Sequence, residues 1–495
     1  MNTENFDVII IGAGLSGIGA ARHLQKHCPE KRYVVLESRD AIGGTWDLFR
    51  YPGVRSDSDM FTLGYEFKPW TGEKSIADGG DIRQYIRDTA AEYGIDRKIR
   101  FGQKIISAEW DTDTATWTLE AEVAKTGQTA KYRCNFLLSC TGYYNYQAGF
   151  TPEFPGRERF QGQVIHPQHW PQDLDYAGKR VVIIGSGATA VTLAPAMTDK
   201  AASVTMLQRS PTYILTVPER DPIAPQLRKF LPETAVYHLT RARNVALNSA
   251  LYQVSKGRPK AVRRLLLAAV RQQVGPDVDM KHFTPRYNPW EERLCAVPNG
   301  DMFKAIREGR MEVVTDHIET FTENGIRLKS GNELPADIIV TATGLDLLLM
   351  GGITVKKDGQ PIDLTQKMAY KGALLQDVPN LAMVFGYTNS SWTLKADLVA
   401  EYVCRLIKYM DKAGVRQVVA HNTDPTITTL PFLNFAAGYV QRALKKFPIQ
   451  GNKAPWEVRQ NYFYDLRMLR FGAIKEQALQ FSNPVGRIGA RKKVA

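Results

Sequence analysis

The sequence predicts an α/β fold with two parallel-sheet units, and three observations support that fold class. Two glycine-rich turns, Gly12-Ala13-Gly14-Leu15-Ser16-Gly17 and Gly185-Ser186-Gly187-Ala188-Thr189-Ala190, each follow an apolar run and precede a helical pattern. The chain of 495 residues also exceeds the usual size of one hydrophobic core. Because a strand, a glycine turn and a helix in this order form the Rossmann-like dinucleotide-binding motif, we expect two such domains.

The first unit is predicted from an apolar strand at residues 6–11, a helix at 18–24 and a second strand at 34–36. Gly12, Gly14 and Gly17 would let the backbone approach a pyrophosphate, and Ser16 would lie beside it. Glu37 ends the second strand twenty residues after Gly17, where this fold places an acid that binds ribose hydroxyls. This spacing strengthens a motif that is weak alone.

The second unit is predicted from strands at 180–184 and 203–207. All six residues of its glycine turn are candidate cofactor contacts: Gly185, Ser186, Gly187, Ala188, Thr189 and Ala190. Its second strand ends in Gln208 and Arg209, with no acid at this position. An arginine there offers a fork of donors to a phosphate, which favours NADPH over NADH. The alternative is that Arg209 is an exposed surface charge.

The domain organisation follows from a repeated pattern in which an apolar strand ends in a small residue, threonine and glycine, at 140–142 and 342–344. We predict a FAD-binding domain in two parts, 1–145 and 346–495, with a helical C-terminal region after Val415. A NADP-binding domain at 146–345 would be inserted between them, with a helical insertion at about 222–278. Strands at 104–107, 117–123, 136–142 and 380–386 and a helix at 392–410 complete the prediction.

The formal charge of +13 is concentrated between Arg228 and Arg271 and in the C-terminal tail. The first interpretation is a set of solvated helix faces, because no tryptophan accompanies these charges. The alternative is weak association with an anionic membrane surface. Nucleic acid binding is a further alternative, but intact nucleotide motifs argue against it, and we predict no nucleic acid partner.

The five cysteines are scattered and never form a Cys-x-x-Cys pair, which favours a reducing compartment and argues against a dithiol reductase. The N-terminus enters the first strand without a basic and apolar leader, and no apolar run reaches about twenty residues. We therefore predict a cytoplasmic protein. No metal centre is predicted, and the sequence leaves the oligomeric state open.

Two longer strings carry a family resemblance. Phe160, Gly162, His166, Trp170 and Pro171 match Phe-x-Gly-x-x-x-His-x-x-x-Trp-Pro. Residues 43–57 match Gly-Gly-x-Trp, four residues, then aromatic-Pro-Gly-x-x-x-Asp. With both strings the chain resembles the type I Baeyer–Villiger monooxygenases, a class of flavoprotein monooxygenases. The resemblance extends from Asp7 to about Met410 and is strongest to the subgroup that contains ethionamide-activating monooxygenases.

The resemblance implies roles for individual residues. FAD would contact the first glycine turn, Ile105 and the run Thr45, Trp46, Asp47 and Leu48. Arg55, Ser56 and Asp57 would lie between flavin and nicotinamide. The catalytic pair would be Asp57 and Arg293, whose cation stabilises developing negative charge. His166 and Trp170 would couple domain movement to the reaction, and Asn389 and Trp392 would border flavin and substrate, although core packing suits Trp392 equally well.

The implied reaction uses NADPH and O₂ to convert ketones into esters or lactones through a flavin C4a-peroxide, with sulfides as additional substrates. The alternative enzyme is a flavin-containing monooxygenase that oxidises only nitrogen or sulfur. Its fingerprint would end in Tyr or Phe, whereas this chain has Trp170 and Pro171.

Overall fold

The structure is a computed structural model that describes residues 3–292, 294–433 and 435–484. Its first sheet has a parallel core with the strand order Ile99–Arg100, Tyr33–Leu36, Glu4–Ile11, Thr129–Ser139, Leu381–Met383. These strands are almost wholly apolar at their centres, as expected for a sheet that helices cover on both faces. The last strand comes from the C-terminal part of the chain, so the first unit is discontinuous.

An antiparallel layer extends this sheet. Gln103–Asp111 and Thr116–Val123 form a hairpin that pairs with the N-terminal half of Thr129–Ser139. The remaining strands of the sheet are Thr354–Lys357, Gln360–Pro361, Ala369–Tyr370 and Leu374–Leu375. Trp110 and Trp117 face each other across the hairpin and are fully buried, which anchors the layer.

The second sheet is wholly parallel, with the order Met311–Thr315, Ser203–Gln208, Arg180–Ile184, Ile338–Thr341, Gln163–Ile165. An antiparallel meander packs beside it, formed by Ile318–Thr322, Gly325–Leu328 and Glu333–Pro335. A separate parallel pair joins Tyr213–Val217 to Leu294–Pro298. The chain thus has two α/β units of the predicted class, and the fold class is confirmed.

Two linker strands connect the units, and they pair with each other. Tyr144–Gly149 runs antiparallel to Leu345–Leu347. These strands follow the two sequences of small residue, threonine and glycine at 140–142 and 342–344. His166 lies against this crossing, with its Nε2 3.2 Å from the Gly344 carbonyl oxygen. Burial lowers the pKa of His166, although this hydrogen bond opposes the shift. His166 therefore tethers the linker crossing through its imidazole.

Helices cover both sheets. In the first unit, Leu15–His27 packs against Trp392–Ala413 and against the sheet. The other α-helices outside the interval 222–278 are Thr45–Leu48, Met60–Leu63, Gly79–Glu92, Ala188–Met197, Asp301–Arg307, Gly438–Ala443 and Tyr462–Asp465. The buried apolar side chains form two large clusters in the first unit, one on each face of its sheet, and a further large cluster in the second unit.

Within 222–278 the chain forms Ala224–Leu227 and two longer helices, Glu233–Gly257 and Pro259–Val274. The buried guanidinium of Arg241 fixes the first long helix to the first unit. Its Nη1 donates to the carbonyl oxygens of Phe61 at 2.7 Å and Gly64 at 2.8 Å. In the described part of the chain, no helix is both long and apolar enough to span a bilayer.

The prediction of a helical C-terminal region needs correction. Beyond Val415 the chain alternates short helices with two small antiparallel pairs, Gln417–Ala420 with Leu479–Ser482 and Thr429–Pro431 with Ile449–Gly451. Each strand has only three or four residues and finds its partner 18 or more positions away. A local pattern cannot reveal such pairing.

Candidate functional site

One cavity of 1280 Å³ lies between the two units and contains both glycine turns. Its wall includes most of the candidate residues predicted from the sequence: Gly12, Gly14, Ser16, Glu37, Thr45, Trp46, Arg55, Ser56, Asp57, Ile105, Gly185, Ser186, Gly187, Ala188, Thr189 and Arg209. Parallel strands from both sheets end here, which is where ligands bind in open α/β sheets.

The first glycine turn is closely packed. Gly12 has φ of +103°, and a Cβ there would lie 2.7 Å from the Cys140 carbonyl oxygen. A Cβ on Gly17 would lie 1.8 Å from the Gly12 carbonyl oxygen. Gly14 faces Gly44 of the Gly-Gly-x-Trp signature, and a Cβ on Gly44 would lie 2.9 Å from the Gly14 Cα. Glycines thus form a cradle whose backbone a pyrophosphate can approach, although Gly17 itself packs behind the cavity wall.

Glu37 is 5% exposed and accepts three hydrogen bonds. Its Oε2 accepts from the Ala13 amide at 2.6 Å, and its Oε1 accepts from the Arg39 amide at 2.9 Å and the Ser38 hydroxyl at 3.2 Å. Burial raises the pKa of Glu37, while these donors oppose the shift. The carboxylate is therefore held rigidly at the rim of the cradle, in the position that this fold uses for ribose.

Two aromatic rings close the wall beside Ser16. Trp392 Nε1 donates to Ser16 Oγ at 2.7 Å, and the Trp392 indole stacks on Tyr143 with 5.2 Å between ring centroids. Ile105 lies across the same region, on the antiparallel hairpin, and is 5% exposed. The contact between Trp392 and Ser16 joins residues 376 positions apart, and the sequence offered no signal for it.

The structure corrects the predicted contacts of two residues in this loop. Asp47 and Leu48 do not line the cavity. The Asp47 carboxylate is 4% exposed and forms ion pairs with Arg39 and Arg50 at 2.7 Å, Arg87 at 3.3 Å and Arg83 at 3.8 Å. Four cations around one buried carboxylate fix the loop from behind, so the Asp47 side chain positions Thr45 and Trp46.

The same loop bridges to the second unit. Gly53 has φ of +73° and packs against the helix Ala188–Met197, where a Cβ would lie 2.6 Å from the Ala196 Cβ. The Tyr51 hydroxyl shares a hydrogen bond with Thr189 of the second glycine turn, and burial raises the pKa of Tyr51 to about 12. The Gly-Gly-x-Trp signature therefore contacts the second glycine turn and the helix that follows it.

Arg55, Ser56 and Asp57 follow this bridge and face the cavity. Arg55 Nη1 donates to Asp301 Oδ2 at 2.6 Å, while its buried Nη2 has no hydrogen-bond partner among the described residues. A buried guanidinium nitrogen without a partner indicates that a ligand acceptor belongs beside it. Arg293, the predicted partner of Asp57, lies outside the described residues.

The second glycine turn is open. Gly185 has φ of +143° and packs on Ala342, but a Cβ on Gly187 would meet no atom within 4 Å. Ser186 Oγ donates to the Ser210 carbonyl oxygen at 2.8 Å, which holds the turn against the following strand. Ala190 is fully buried and packs the helix against the sheet, so it supports the turn from inside.

Arg209 is exposed and lines the cavity near Glu292 and Lys329. Burial raises the pKa of Glu292, and the positive charge of Arg209 opposes this shift. Lys329, which sequence reasoning missed, adds a second cation to this part of the wall.

The predicted cofactor contact of Gln208 needs correction, because Gln208 is 2% exposed and its side chain is turned away from the cavity. Its Nε2 donates to the His282 carbonyl oxygen at 2.7 Å and to Thr315 Oγ1 at 2.9 Å.

Solved structures share this architecture. A steroid monooxygenase bound to NADP matches with a TM-score of 0.74 and 20% identity, over 97% of this chain and all of that chain. A cyclohexanone monooxygenase in an open form gives the same TM-score, identity and coverage. A family model described as NAD(P)-binding Rossmann-like domain matches residues 10–67, and one described as flavin-binding monooxygenase-like matches residues 75–225.

Curated relatives are much more similar in sequence. The FAD-containing monooxygenase EthA of Mycobacterium tuberculosis is 54% identical over 489 residues, which cover 98% of this chain and 100% of the relative. The EthA protein of Mycolicibacterium smegmatis is 53% identical over 482 residues, which cover 97% and 98%. The predicted family is thereby confirmed, and the chain belongs to the EthA-like family of FAD-containing monooxygenases.

Proposed function

We propose that this enzyme uses NADPH and O₂ to convert ketones into esters or lactones, and that it also oxidises sulfides. The observation that carries the proposal is the single cavity into which both glycine turns open, with Arg55 and Asp57 on the loop between them. Two dinucleotides bound at these turns would bring their reactive rings together there. Electrons could then pass between them within one chain.

We assign FAD to the first unit, residues 1–145 and 346–495, and NADP to residues 146–345. The first turn fits FAD because its glycine cradle, the fixed carboxylate of Glu37 and the Ser16 hydroxyl supply contacts for a pyrophosphate and a ribose. The second turn fits NADPH because Arg209 and Lys329 offer cations to a 2′-phosphate. When bound, the flavin supplies the two-electron chemistry that activates O₂.

The residues of the chain would stabilise charge that develops on the substrate. A cation in a cavity that excludes water stabilises a negatively charged carbonyl oxygen more strongly than it would in water. Arg293 is proposed for this role, with Asp57 holding its guanidinium in place. Arg55, whose Nη2 has no partner among the described residues, is proposed to bind the cofactors between flavin and nicotinamide.

A second candidate function is oxidation of nitrogen or sulfur alone. The family model that residues 75–225 match is described only as flavin-binding monooxygenase-like, which fits this reaction as well as ester formation. Trp170 and Pro171 at the end of the fingerprint favour ester formation instead.

The test is product analysis with FAD-loaded protein, NADPH, O₂ and a panel of linear, cyclic and aryl ketones, followed by mass spectrometry. We expect an ester or lactone from at least one ketone, and we expect its loss in Arg293→Ala while NADPH still reduces the flavin. Arg286→Ala, at an exposed arginine nearby in the sequence, is the matched control and should retain ester formation. Sulfoxide without ester from any ketone would establish the second candidate.

A further inference from the structure

The helix Glu233–Gly257 has an exposed face that carries no charge. Between His238 and Lys256, the exposed residues of this helix are Leu239, Ala242, Ala246, Leu247, Asn248, Ala250, Leu251, Gln253 and Val254. Leu239, Leu247 and Val254 are 54%, 60% and 52% exposed. Since an exposed helix face normally carries charged side chains, this outer face, defined by the nine residues above, is typical of a surface that contacts something else.

The opposite face of the helix is firmly held, so the outer face is a fixed feature of the fold. Arg241 donates to two carbonyl oxygens of the first unit, as described above, and Val245 packs with Tyr387 and Leu394 in a small buried cluster. Tyr387 also lines the cavity. The outer face therefore lies directly behind the wall of the cavity.

The surroundings of the outer face are strongly basic. From Thr234 to Pro276 the sequence contains no Asp or Glu, and its basic residues are Arg241, Arg243, Lys256, Arg258, Lys260, Arg263, Arg264 and Arg271. Four of these are exposed at the turn between the helices and the start of the second helix: Lys256, Arg258, Lys260 and Arg264. A further apolar side chain, Leu265 at 71% exposure, follows Arg264, and Phe230 at 84% exposure precedes the other end of the helix.

We propose that the outer face and its basic border dock the enzyme on an anionic lipid surface, with the helix lying in the plane of the interface. An apolar stripe bordered by lysine and arginine is the pattern of interfacial helices. A second copy of the chain would place like charges against each other, and nucleic acid would use the basic residues but not the apolar stripe. Docking would hold the cavity close to apolar substrates dissolved in lipid.

The first experiment is co-sedimentation of the FAD-loaded enzyme with phosphatidylcholine vesicles, with and without phosphatidylglycerol. We expect at least about tenfold more enzyme on the anionic vesicles, decreasing as salt is added, because basic residues near a charged leaflet each contribute to binding. Equal binding to both vesicle types, or no binding to either, would overturn the proposal.

The second experiment separates the apolar and basic contributions. The triple variant Leu239→Gln, Leu247→Gln, Val254→Gln keeps good helix propensity at exposed positions and should lose about tenfold in vesicle binding. Phe471→Gln, at a residue that is 72% exposed elsewhere, is the matched apolar control and should bind as wild type. The double variant Lys260→Gln, Arg264→Gln should lose the preference for anionic vesicles, whereas Lys125→Gln, Lys412→Gln should keep it.

FAD content and NADPH oxidation in solution check that each variant is folded, since none of these residues lines the cavity. Two results would contradict lipid docking even if the variants differ from wild type. One is a wild-type dimer that the triple variant dissociates in sedimentation velocity experiments. The other is salt-sensitive binding to DNA without binding to vesicles.

Discussion

The two glycine turns share a sequence pattern, yet the structure gives them different surroundings. The first is the more enclosed: a Cβ on Gly12, Gly14 or Gly17 would lie within 3.4 Å of a backbone atom, and the acid that follows, Glu37, is 5% exposed. The second is more open at its centre: Gly185 packs on Ala342, but a Cβ on Gly187 would meet no atom within 4 Å, and the residue that follows its second strand, Arg209, is exposed. An enclosed site suits a cofactor that stays bound, and an open site suits one that exchanges.

This difference matches the chemistry proposed for the chain. A flavin must be reduced and reoxidised in place, whereas each turnover consumes one NADPH from solution. Permanent binding favours the preorganised glycine cradle with its fixed carboxylate. Exchange favours a turn that is reached from solvent, with mobile cations at its edge. The predictions below test the two sites against each other.

The largest expected effect is loss of FAD from Gly17→Ala, with Gly187→Ala as the comparison. A methyl group on Gly17 would lie 1.8 Å from the Gly12 carbonyl oxygen, and an overlap with backbone of this kind costs about 3 kcal/mol or more. We expect Gly17→Ala to be recovered without FAD, as measured by flavin absorbance per chain. Gly187→Ala has open space and φ of −79°, so it should retain FAD and only raise the KM for NADPH. Equal FAD loss in both variants would remove the distinction.

Glu37→Gln should weaken FAD binding by about tenfold to a hundredfold. Each carboxylate oxygen accepts from a backbone N–H, of Ala13 or Arg39, so the amide of Gln would place its own NH₂ against one of these two donors. The effect should be on the Kd for FAD in reconstitution titrations, with the KM for NADPH unchanged. Glu30→Gln, at an exposed glutamate in the same unit, is the control. Unchanged FAD affinity would show that Glu37 is only structural.

Arg209→Ala should raise the KM for NADPH by about tenfold or more, since a charge-assisted contact to phosphate is worth about 1.5–3 kcal/mol. The KM for NADH should not change, because NADH lacks the 2′-phosphate. Steady-state kinetics with both cofactors measure this, with Arg327→Ala as an exposed control on the adjoining meander. Equal changes for NADPH and NADH would make Arg209 a surface charge.

The smallest effect concerns acid sensitivity of the first unit. His27 ends the helix that follows the first glycine turn, and burial together with the charge of His23 lowers its pKa from 6.5 to about 4. Between these pH values the unfolded chain binds a proton that the folded chain does not, so stability falls as the pH falls. His27→Gln should reduce this loss by about 2 °C in Tm between pH 6.5 and 4. The same dependence of Tm on pH in wild type and variant would contradict this role of His27.

The sequence predicted the parts of the molecule that depend on short-range order. Glycine turns, the strands before them and Glu37 are local patterns with a physical reason, and the structure places them on one cavity. Asp47 shows the limit of prediction from local patterns. Its position in a family signature suggested a ligand contact, but its environment comes from four arginines, two of which lie on a helix about forty residues further along.

Gln208 and Trp392 show the same limit of local patterns, with opposite outcomes. Gln208 lies outside the cavity wall, and Trp392 forms part of it. Gln208 precedes Arg209 at the end of a strand, and side chains alternate between faces there, so one of the two points into the fold. Trp392 was equally well explained by core packing or by the cavity, and the structure shows both: its indole packs against the core, and its Nε1 donates to Ser16 at the cavity wall. Both outcomes depend on tertiary neighbours that a single sequence does not display.

The most direct test of the account is an anaerobic titration of the purified, desalted enzyme with NADPH, following flavin absorbance. We expect about one retained FAD per chain, little retained NADP and complete bleaching of the flavin with about one equivalent of NADPH. Retention of NADP with loss of FAD, or a bound flavin that NADPH leaves oxidised, would contradict the assignment of the enclosed site to FAD and the open site to NADPH.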